Sequence, residues 1–375
     1  MAKAVYVGVG GKARKVKRIY IGVSGKARKV KKGYIGIGGV ARPFWTGGEP
    51  TYYGTVTDLS VARSDMAATT IGSYALFGGG YNGSKSSTVD AYNTSLTHTT
   101  TSSSLNPGRY ILAATSIGDY ALFGGGLISS NATTVVEAYN TSLTRSTPMA
   151  LSVKRYSLEA TSVGDYALFG GGYYSAYVYA TVDAYNTSLT RTKPTELSVK
   201  RERLAATSIG DYALFGGGGY VSQNYLYSTV DAYNTSLTRS TPTELSVARC
   251  SLEATSVGDY ALFGGGGDDR GNPDYSTVDA YNTSLTRSTP TELSVARSRA
   301  AATSVGDYAL FAGGDSGDTC YSTVDAYDTS LTRGTLTTLS DARSYLAATT
   351  IGNYALFAGG ESRGTYYSTV DAYTV

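Results

Sequence analysis

The chain has 375 residues, of which 41% are hydrophobic, with a net charge of +3 and two cysteines, Cys250 and Cys320. This composition supplies a large core and excludes a fold that depends on several disulfide bonds. We expect two free thiols, with one bridge between them as the alternative. The first residues lack the apolar run of a signal peptide, and no segment approaches ~18 consecutive apolar residues, so we expect neither a cleaved leader nor a membrane span.

The charge is divided unevenly along the chain. Residues 1–48 hold twelve Lys or Arg and no acidic residue, which leaves 20 basic and 29 acidic residues, a net charge of −9, in the remainder. Such a split predicts different partners for the two parts. We therefore divide the chain into a basic module, residues 1–50, and a second domain, residues 51–375.

The basic module is a threefold repeat with a period of 14 residues, which begins A-V-Y-V-G-V-G-G-K-A-R-K-V-K at residue 4. Each copy predicts a strand, a two-residue turn and a second strand, which make a β-hairpin. So short a module buries too little apolar surface to fold alone. We expect it to assemble with its own copies, as a homo-oligomer, or with a larger particle. The residues assigned to anchoring are Lys12, Arg14, Lys15, Lys26, Arg28 and Lys29.

Nucleic acid is the alternative partner of these cations, because phosphate contacts need only suitably spaced basic residues. No aromatic stacking pattern accompanies the basic residues, so we favour assembly over nucleic acid binding.

From about residue 51 the chain consists of seven nearly identical units of 46–48 residues. Each unit carries a Y-A-L-F segment and follows an arginine. The phenylalanines are Phe77, Phe123, Phe169, Phe215, Phe263, Phe311 and Phe357, and the arginines are Arg63, Arg109, Arg155, Arg201, Arg249, Arg297 and Arg343. A period of this length, built of short β-rich segments, is typical of a propeller or another repeat array.

Each unit contains four short segments rich in Thr, Val, Tyr, Phe and Ile and bounded by turn residues, which fits the four strands of a propeller blade. The last unit stops at V-D-A-Y-T-V, before a fourth strand, whereas residues 51–59 match the fourth segment of the other units. Pairing the two would close the ring and remove an open sheet edge. We therefore predict an all-β fold, a seven-bladed β-propeller with an N-terminal outer strand in blade seven.

The unit resembles the kelch repeat, in which an apolar run ends in Gly-Gly, a tyrosine follows a short strand and an arginine opens the next unit. In the fourth unit these are Gly216–Gly217, Tyr233 and Arg249. The resemblance covers residues 51–375 and implies a fold that carries enzymes, adaptors and scaffolds alike. Where kelch has a tryptophan after the tyrosine, this chain has arginine, or His98 in the first unit. We expect the aliphatic stems of these arginines to replace the aromatic packing between blades.

The tandem Y-I-G-V-x-G-x-A-R-K-V-K-K segments of the basic module are similar to N-terminal modules of tail-associated proteins in phages and prophages of gut Firmicutes. This resemblance covers about 45 residues. It implies that residues 1–50 attach the protein to other virion or tail proteins. It also implies that the protein is made in the bacterial cytoplasm and incorporated into the virion.

The seven copies differ in two places, the loop after the glycines and the positions directly after the arginine. In an up-and-down four-stranded blade both connections lie at the same end, so one face of the disc varies. Its loops are rich in Tyr, Ser, Gly and Asn, as binding surfaces are; drift of exposed loops is the alternative. The candidate ligand-binding residues are Tyr173, Tyr174, Tyr177, Tyr179, Tyr220, Asn224, Tyr225, Tyr227, Asp268, Asp269, Arg270, Tyr321, Arg363 and Tyr366.

The repeats carry no active-site pattern, so we expect no enzymatic activity, no cofactor and no resident metal. The only histidine, His98, occupies an arginine position of the repeat. The acid of each V-D-A-Y or V-E-A-Y segment recurs once per blade, which indicates a scaffold role in pairing with the unit arginines. The loop from Asp268 to Asp274 is interpreted as a plain acidic loop, with Ca²⁺ binding as the alternative.

Together these features predict a phage or prophage virion protein. Its basic module would anchor it to the particle, and its propeller would present one variable face to a host-surface ligand; we favour a glycan, with a protein as the alternative. One alternative is a structural decoration or scaffold protein of the virion without a specific ligand. A hydrolase is the remaining alternative, and we favour it least.

Overall fold

The computed structural model describes residues 48–268 and 274–375, together with the backbone of six strands between residues 6 and 45. The chain divides into two compact units, Met1–Thr51 with Val375, and Tyr52–Thr374. Apart from a single 3-10 turn at Val221–Gln223, the regular structure of the described residues is β. In this part of the chain, no helix is long and apolar enough to span a membrane.

The basic module forms three antiparallel hairpins, which confirms the hairpin prediction. The paired strands are Tyr6–Val9 with Lys12–Lys15, Tyr20–Val23 with Lys26–Lys29, and Gly33–Ile37 with Val40–Trp45. Val9 lies opposite Lys12 and Val23 opposite Lys26, so the first two hairpins have the same register. All six anchoring residues lie on the basic strands of these two hairpins. Their side chains lie outside the described part of the structure.

The second unit contains seven four-stranded antiparallel sheets, one for each sequence repeat. We name the strands of each sheet inner, second, third and outer. The inner strands are Ala67–Ile71, Ala113–Ile117, Glu159–Val163, Ala205–Ile209, Glu253–Val257, Ala301–Val305 and Ala347–Ile351. The second strands are Tyr74–Gly78, Tyr120–Gly124, Tyr166–Gly170, Tyr212–Gly216, Tyr260–Gly264, Tyr308–Ala312 and Tyr354–Ala358. The third strands are Val89–Asn93, Val136–Asn140, Val182–Asn186, Val230–Asn234, Val278–Asn282, Val324–Asp328 and Val370–Thr374. The outer strands are His98–Thr100, Arg145–Ser146, Arg191–Thr192, Arg239–Ser240, Arg287–Ser288, Arg333–Thr335 and, in the seventh sheet, Thr51–Thr55.

The inner strands surround a central channel. Each of them contacts the inner strands of the sheets before and after it, and the seventh contacts the first, so the ring is closed. In the first blade Ala67, Thr69 and Ile71 are buried, whereas Ala68 and Thr70 alternate with them and line the channel. The chain is a seven-bladed β-propeller.

The N-terminal strand Thr51–Thr55 completes the seventh blade, as the sequence predicts. It lies beside Val370–Thr374, the last strand of the chain. The Tyr52 hydroxyl donates a 2.7 Å hydrogen bond to Asp371, and the Tyr52 and Tyr373 rings lie 5.3 Å apart. This pairing covers what would otherwise be an open sheet edge next to the ring closure.

Aromatic side chains pack each blade against the one before it. Phe123 and Tyr139 of the second blade lie in one buried cluster with Ile71 and Leu76 of the first. A Cβ on Gly78 would lie 2.6 Å from the Phe123 ring, so the glycine makes room for it. The Tyr139 hydroxyl also donates a 2.7 Å hydrogen bond to a backbone carbonyl of the preceding segment, at Ser103. Phenylalanine and tyrosine therefore provide aromatic packing between blades.

A buried ion pair joins the repeat arginine to the third-strand acid in every blade. The nitrogen–oxygen distances are 2.7–2.9 Å, and neither partner is exposed. A second polar group from the outer strand contacts the same acid. These groups are His98, Arg145, Arg191, Arg239, Arg287 and Arg333, with Tyr52 in the seventh blade. The predicted scaffold role of the repeated acids, and of His98 beside Asp90, agrees with this geometry.

Candidate ligand-binding face

Both variable segments of each repeat lie at the same end of the blades. The loop between the second and third strands pairs with the segment that enters the inner strand, through bridges such as Tyr156 with Tyr173 and Glu202 with Gly219. We call this end of the propeller the variable face. The opposite end carries the turns between inner and second strands and between third and outer strands.

A ring of backbone hydrogen bonds forms the centre of the variable face. One residue per blade contributes, and its N–H donates to the carbonyl of the corresponding residue in the preceding blade at 2.9–3.4 Å. The last bond, from Asp65 to Tyr345, closes the circle. All seven residues have φ between 51° and 54°, a conformation that non-glycine residues adopt only at a cost. The members of this central ring are Asp65, Ile111, Ser157, Arg203, Ser251, Arg299 and Tyr345.

Among the described loops, short hairpins lie around the central ring in five of the blades. They are built from the loops between second and third strands, where the repeats differ most in sequence. Their strands are Leu127–Ile128 with Asn131–Ala132, Tyr173–Tyr174 with Tyr177–Val178, Gly219–Tyr220 with Tyr225–Leu226, Asp315–Ser316 with Thr319–Cys320, and Glu361–Ser362 with Thr365–Tyr366.

Four of the predicted ligand-binding residues are exposed at these hairpins. Tyr177 is 69% exposed and Tyr225 is 58% exposed, which are high values for aromatic side chains. Asn224 and Arg363 are exposed as well. These four side chains are the ones most accessible to a large ligand.

Other predicted residues link one hairpin to the next. The Tyr174 hydroxyl donates to the Asn131 side chain at 2.8 Å, and the Tyr220 hydroxyl donates to the Ala176 carbonyl at 2.7 Å. The Lys154 ammonium lies 4.4 Å from the centre of the Tyr174 ring. These contacts hold the hairpins of blades two, three and four in a fixed arrangement, and they leave the ring of Tyr177 outside it.

The remaining predicted residues are partly buried. Tyr173 packs edge-on against Tyr156 at 5.5 Å, and Tyr366 packs similarly against Tyr81 at 6.1 Å. The other half-buried positions are Tyr179, Tyr227, Asp268 and Tyr321. Asp269 and Arg270 lie outside the described residues.

An axial cavity of about 370 Å³ lies at the central ring. Below the ring its wall is apolar, and we call these residues the apolar collar: Met66, Leu112, Leu204, Leu252, Ala300 and Leu346. Deeper in the channel the wall consists of alanines, followed by the hydroxyl groups of threonines and serines. Two carboxyl groups, Glu159 and Glu253, interrupt this wall.

Sequence reasoning missed these two glutamates. They occupy the first position of the inner strand, where the other five blades have alanine. Each is partly accessible from the channel, yet protein surrounds it. Burial raises the pKa of Glu159 to about 8. Burial, together with the charge of Glu159, raises the pKa of Glu253 well above its usual range. The change from L-A-A-T to L-E-A-T was the available sequence signal.

The thiols and acids of the described residues form no metal site. Neither Cys250 nor Cys320 forms a disulfide bond, as expected. Within residues 48–268 and 274–375, no three His, Cys, Asp or Glu side chains are grouped as metal ligands. The Ca²⁺ alternative concerns the loop from Asp268 to Asp274, most of which lies outside this part of the chain.

Comparison with known proteins supports the fold. No protein-family model matches the chain, and no curated protein matches it. Among solved structures, the chain is similar to that of YjhT, with a TM-score of 0.57 and 12% sequence identity, over 85% of this chain and 97% of that one. At this identity the likeness is one of fold.

Proposed function

We propose that the protein binds a carbohydrate of a cell surface through the variable face, without catalysis. The observation that carries this proposal is the pair of exposed tyrosines, Tyr177 and Tyr225, on neighbouring hairpins. A water-exposed tyrosine ring offers a flat apolar surface and a polar hydroxyl, which suits the face of a sugar ring. Such rings also lose little conformational entropy when they bind.

The fixed arrangement of the hairpins favours recognition over drift. The Tyr220 hydroxyl links the hairpin of blade four to that of blade three, because it donates a hydrogen bond to the carbonyl of Ala176, the residue before Tyr177. The two exposed rings are therefore held by a rigid framework, which lowers the entropy cost of binding. If these loops had varied only by drift, hydrogen bonds between loops of such different sequence would not be expected.

We further propose that residues 1–50 attach the propeller to a larger particle as an oligomer. The support is the repeated basic hairpin and the resemblance of this module to tail-associated proteins of phages and prophages. Under this proposal the protein is a virion component that presents its variable face to the host. Light scattering of the full chain and of residues 49–375 tests the assembly role. We expect an oligomer for the first and a monomer for the second, and two monomers would contradict it.

The binding proposal is tested with surface polysaccharides purified from Firmicutes and immobilised as a panel. We expect the full chain to bind at least one polysaccharide, and the double variant Tyr177→Ser, Tyr225→Ser to bind at least tenfold more weakly with an unchanged thermal midpoint. Tyr53→Ser is the matched control, because Tyr53 is 55% exposed and lies on the outer strand of blade seven. Equal binding by the double variant would contradict the proposal. Absence of binding across the panel would favour a structural role in the virion.

A further inference from the structure

The axial cavity contains two acids that the scaffold does not require. In five blades alanine occupies this position of the inner strand. The blades that carry Glu159 and Glu253 have the same strand pairing as those blades. The two glutamates belong to blades three and five, and both line the same axial cavity. A buried group that departs from the repeat and opposes stability is a candidate for function.

The fully buried acids of the propeller show how this chain neutralises a carboxyl that is removed from water. Each third-strand acid meets the guanidinium of its repeat arginine at 2.7–2.9 Å. For Glu159 and Glu253 the described residues supply no ion pair. Among the described residues, the backbone of Ala160 favours the charged form of Glu159, but the effect of burial on its pKa is larger. Two carboxyls that line one cavity and form no ion pair with the described residues can accept a cation from outside.

We propose that the axial cavity binds the primary ammonium group of a slim aliphatic amine between the carboxyls of Glu159 and Glu253. A cavity of about 370 Å³ is within the size range of small-ligand sites. The ligand must pass the apolar collar to reach the carboxyls. An aliphatic stem gains from contact with Leu112, Leu204 and Leu252, whereas a hydrated inorganic ion does not. This site is separate from the exposed tyrosines and does not depend on carbohydrate binding.

The mouth of the cavity carries the charged groups that face an entering ligand. They are Asp65, Arg203 and Arg299, with the hydroxyls of Tyr156 and Tyr345 beside them. Arg299 pairs with Asp315 at 3.1 Å and lies 5.3 Å from the Tyr345 ring, so this cation is engaged at the rim. Glu159 and Glu253 also line the deeper, alanine-walled part of the channel, which neither arginine of the mouth reaches.

The test is isothermal titration calorimetry of the full chain with pentylammonium chloride at pH 7, in two buffers of different ionisation enthalpy. We expect saturable binding with release of protons, because the ammonium ion displaces the proton from the carboxyl of Glu159, whose pKa of about 8 leaves it mostly neutral at this pH. The neutral analogue 1-pentanol should bind at least tenfold more weakly. Nα-acetyl-lysine amide, measured in parallel, distinguishes a lysine side chain from a free amine as the source of the group, and binding of either supports the site.

The decisive variant is Glu159→Ala with Glu253→Ala, which restores the residue of the other five blades and should fold. It should lose at least tenfold in affinity for pentylammonium and release no protons. Glu292→Gln is the matched control, since this exposed glutamate only accepts a hydrogen bond from Ser276. Equal binding by the double variant, equal binding of 1-pentanol, no saturable binding of either amine, or displacement by potassium at the same concentration would each overturn the proposal.

Discussion

At the residue scale, the raised pKa values of Glu159 and Glu253 predict an unusual dependence of the free energy of unfolding on pH. The pKa of Glu159 is about 8 in the folded chain and near 4.5 in the unfolded chain. Between these values the folded state holds more protons than the unfolded state, so the free energy of unfolding falls as pH rises. Above pH 8 the folded channel carries charges that it does not compensate.

Replacing both glutamates by glutamine should remove this loss of stability at high pH. We expect equal stability of the native protein and the double variant near pH 5, and at pH 9 a gain of about 1–3 kcal/mol for the variant, allowing for water in the channel. Urea unfolding at the two pH values measures the difference, with Glu292→Gln as the control. A double variant that loses stability between pH 5 and 9 as the native protein does would contradict the assignment.

The two arginines that share Asp231 should differ in their contribution to stability. Arg201 lies 2.8 Å from this acid and is fully buried, whereas Arg239 lies 3.2 Å from it and is 25% exposed. Arg201→Leu removes the buried partner and should cost about 3–5 kcal/mol. Arg239→Leu removes a partly hydrated one and should cost about 1 kcal/mol or less. Denaturant midpoints of the two variants provide the comparison, and equal losses would show that burial does not decide the effect.

At the element scale, the outer strand of blade seven determines how the ring is closed. Two truncations separate this strand from the basic module. Removal of residues 1–50 leaves Thr51–Thr55 in place, and the propeller should keep its stability. Removal of residues 1–55 deletes the Tyr52 hydrogen bond to Asp371 and the packing of Tyr53 on Tyr354, and it opens a sheet edge.

We expect the longer truncation to lose about 3–5 kcal/mol of stability and to aggregate during purification. Circular dichroism during denaturant unfolding, on the two truncations in parallel, measures this difference. Similar midpoints would mean that the strand contributes little and that the inner ring alone holds the propeller together.

At the scale of the whole molecule, most of the architecture could be predicted from the sequence. The seven repeats indicate the number of blades. The absence of an outer strand after Val370–Thr374, together with the additional strand Thr51–Thr55, indicates how the ring closes. These features follow from the repeat itself, because each copy must bury its faces against a neighbour.

The candidate site was less predictable, because it depends on contacts between different repeats. Sequence variation indicates the variable face, yet it does not distinguish Tyr177, which is exposed, from Tyr174, which donates a hydrogen bond to the hairpin of the preceding blade. The central ring arises from backbone conformation rather than side-chain type, so no motif marks it. The sequence alone does not show that Glu159 and Glu253 line the same channel; only the fold does.

Hydrogen–deuterium exchange of the full chain, with and without a polysaccharide that it binds in the panel, tests the role of the variable face most directly. We predict slower exchange on ligand binding in the hairpins that contain Tyr177 and Tyr225, and no change in the turns at the opposite end of the blades. Protection confined to those opposite turns, or none in the hairpins, would contradict the assignment of binding to the variable face.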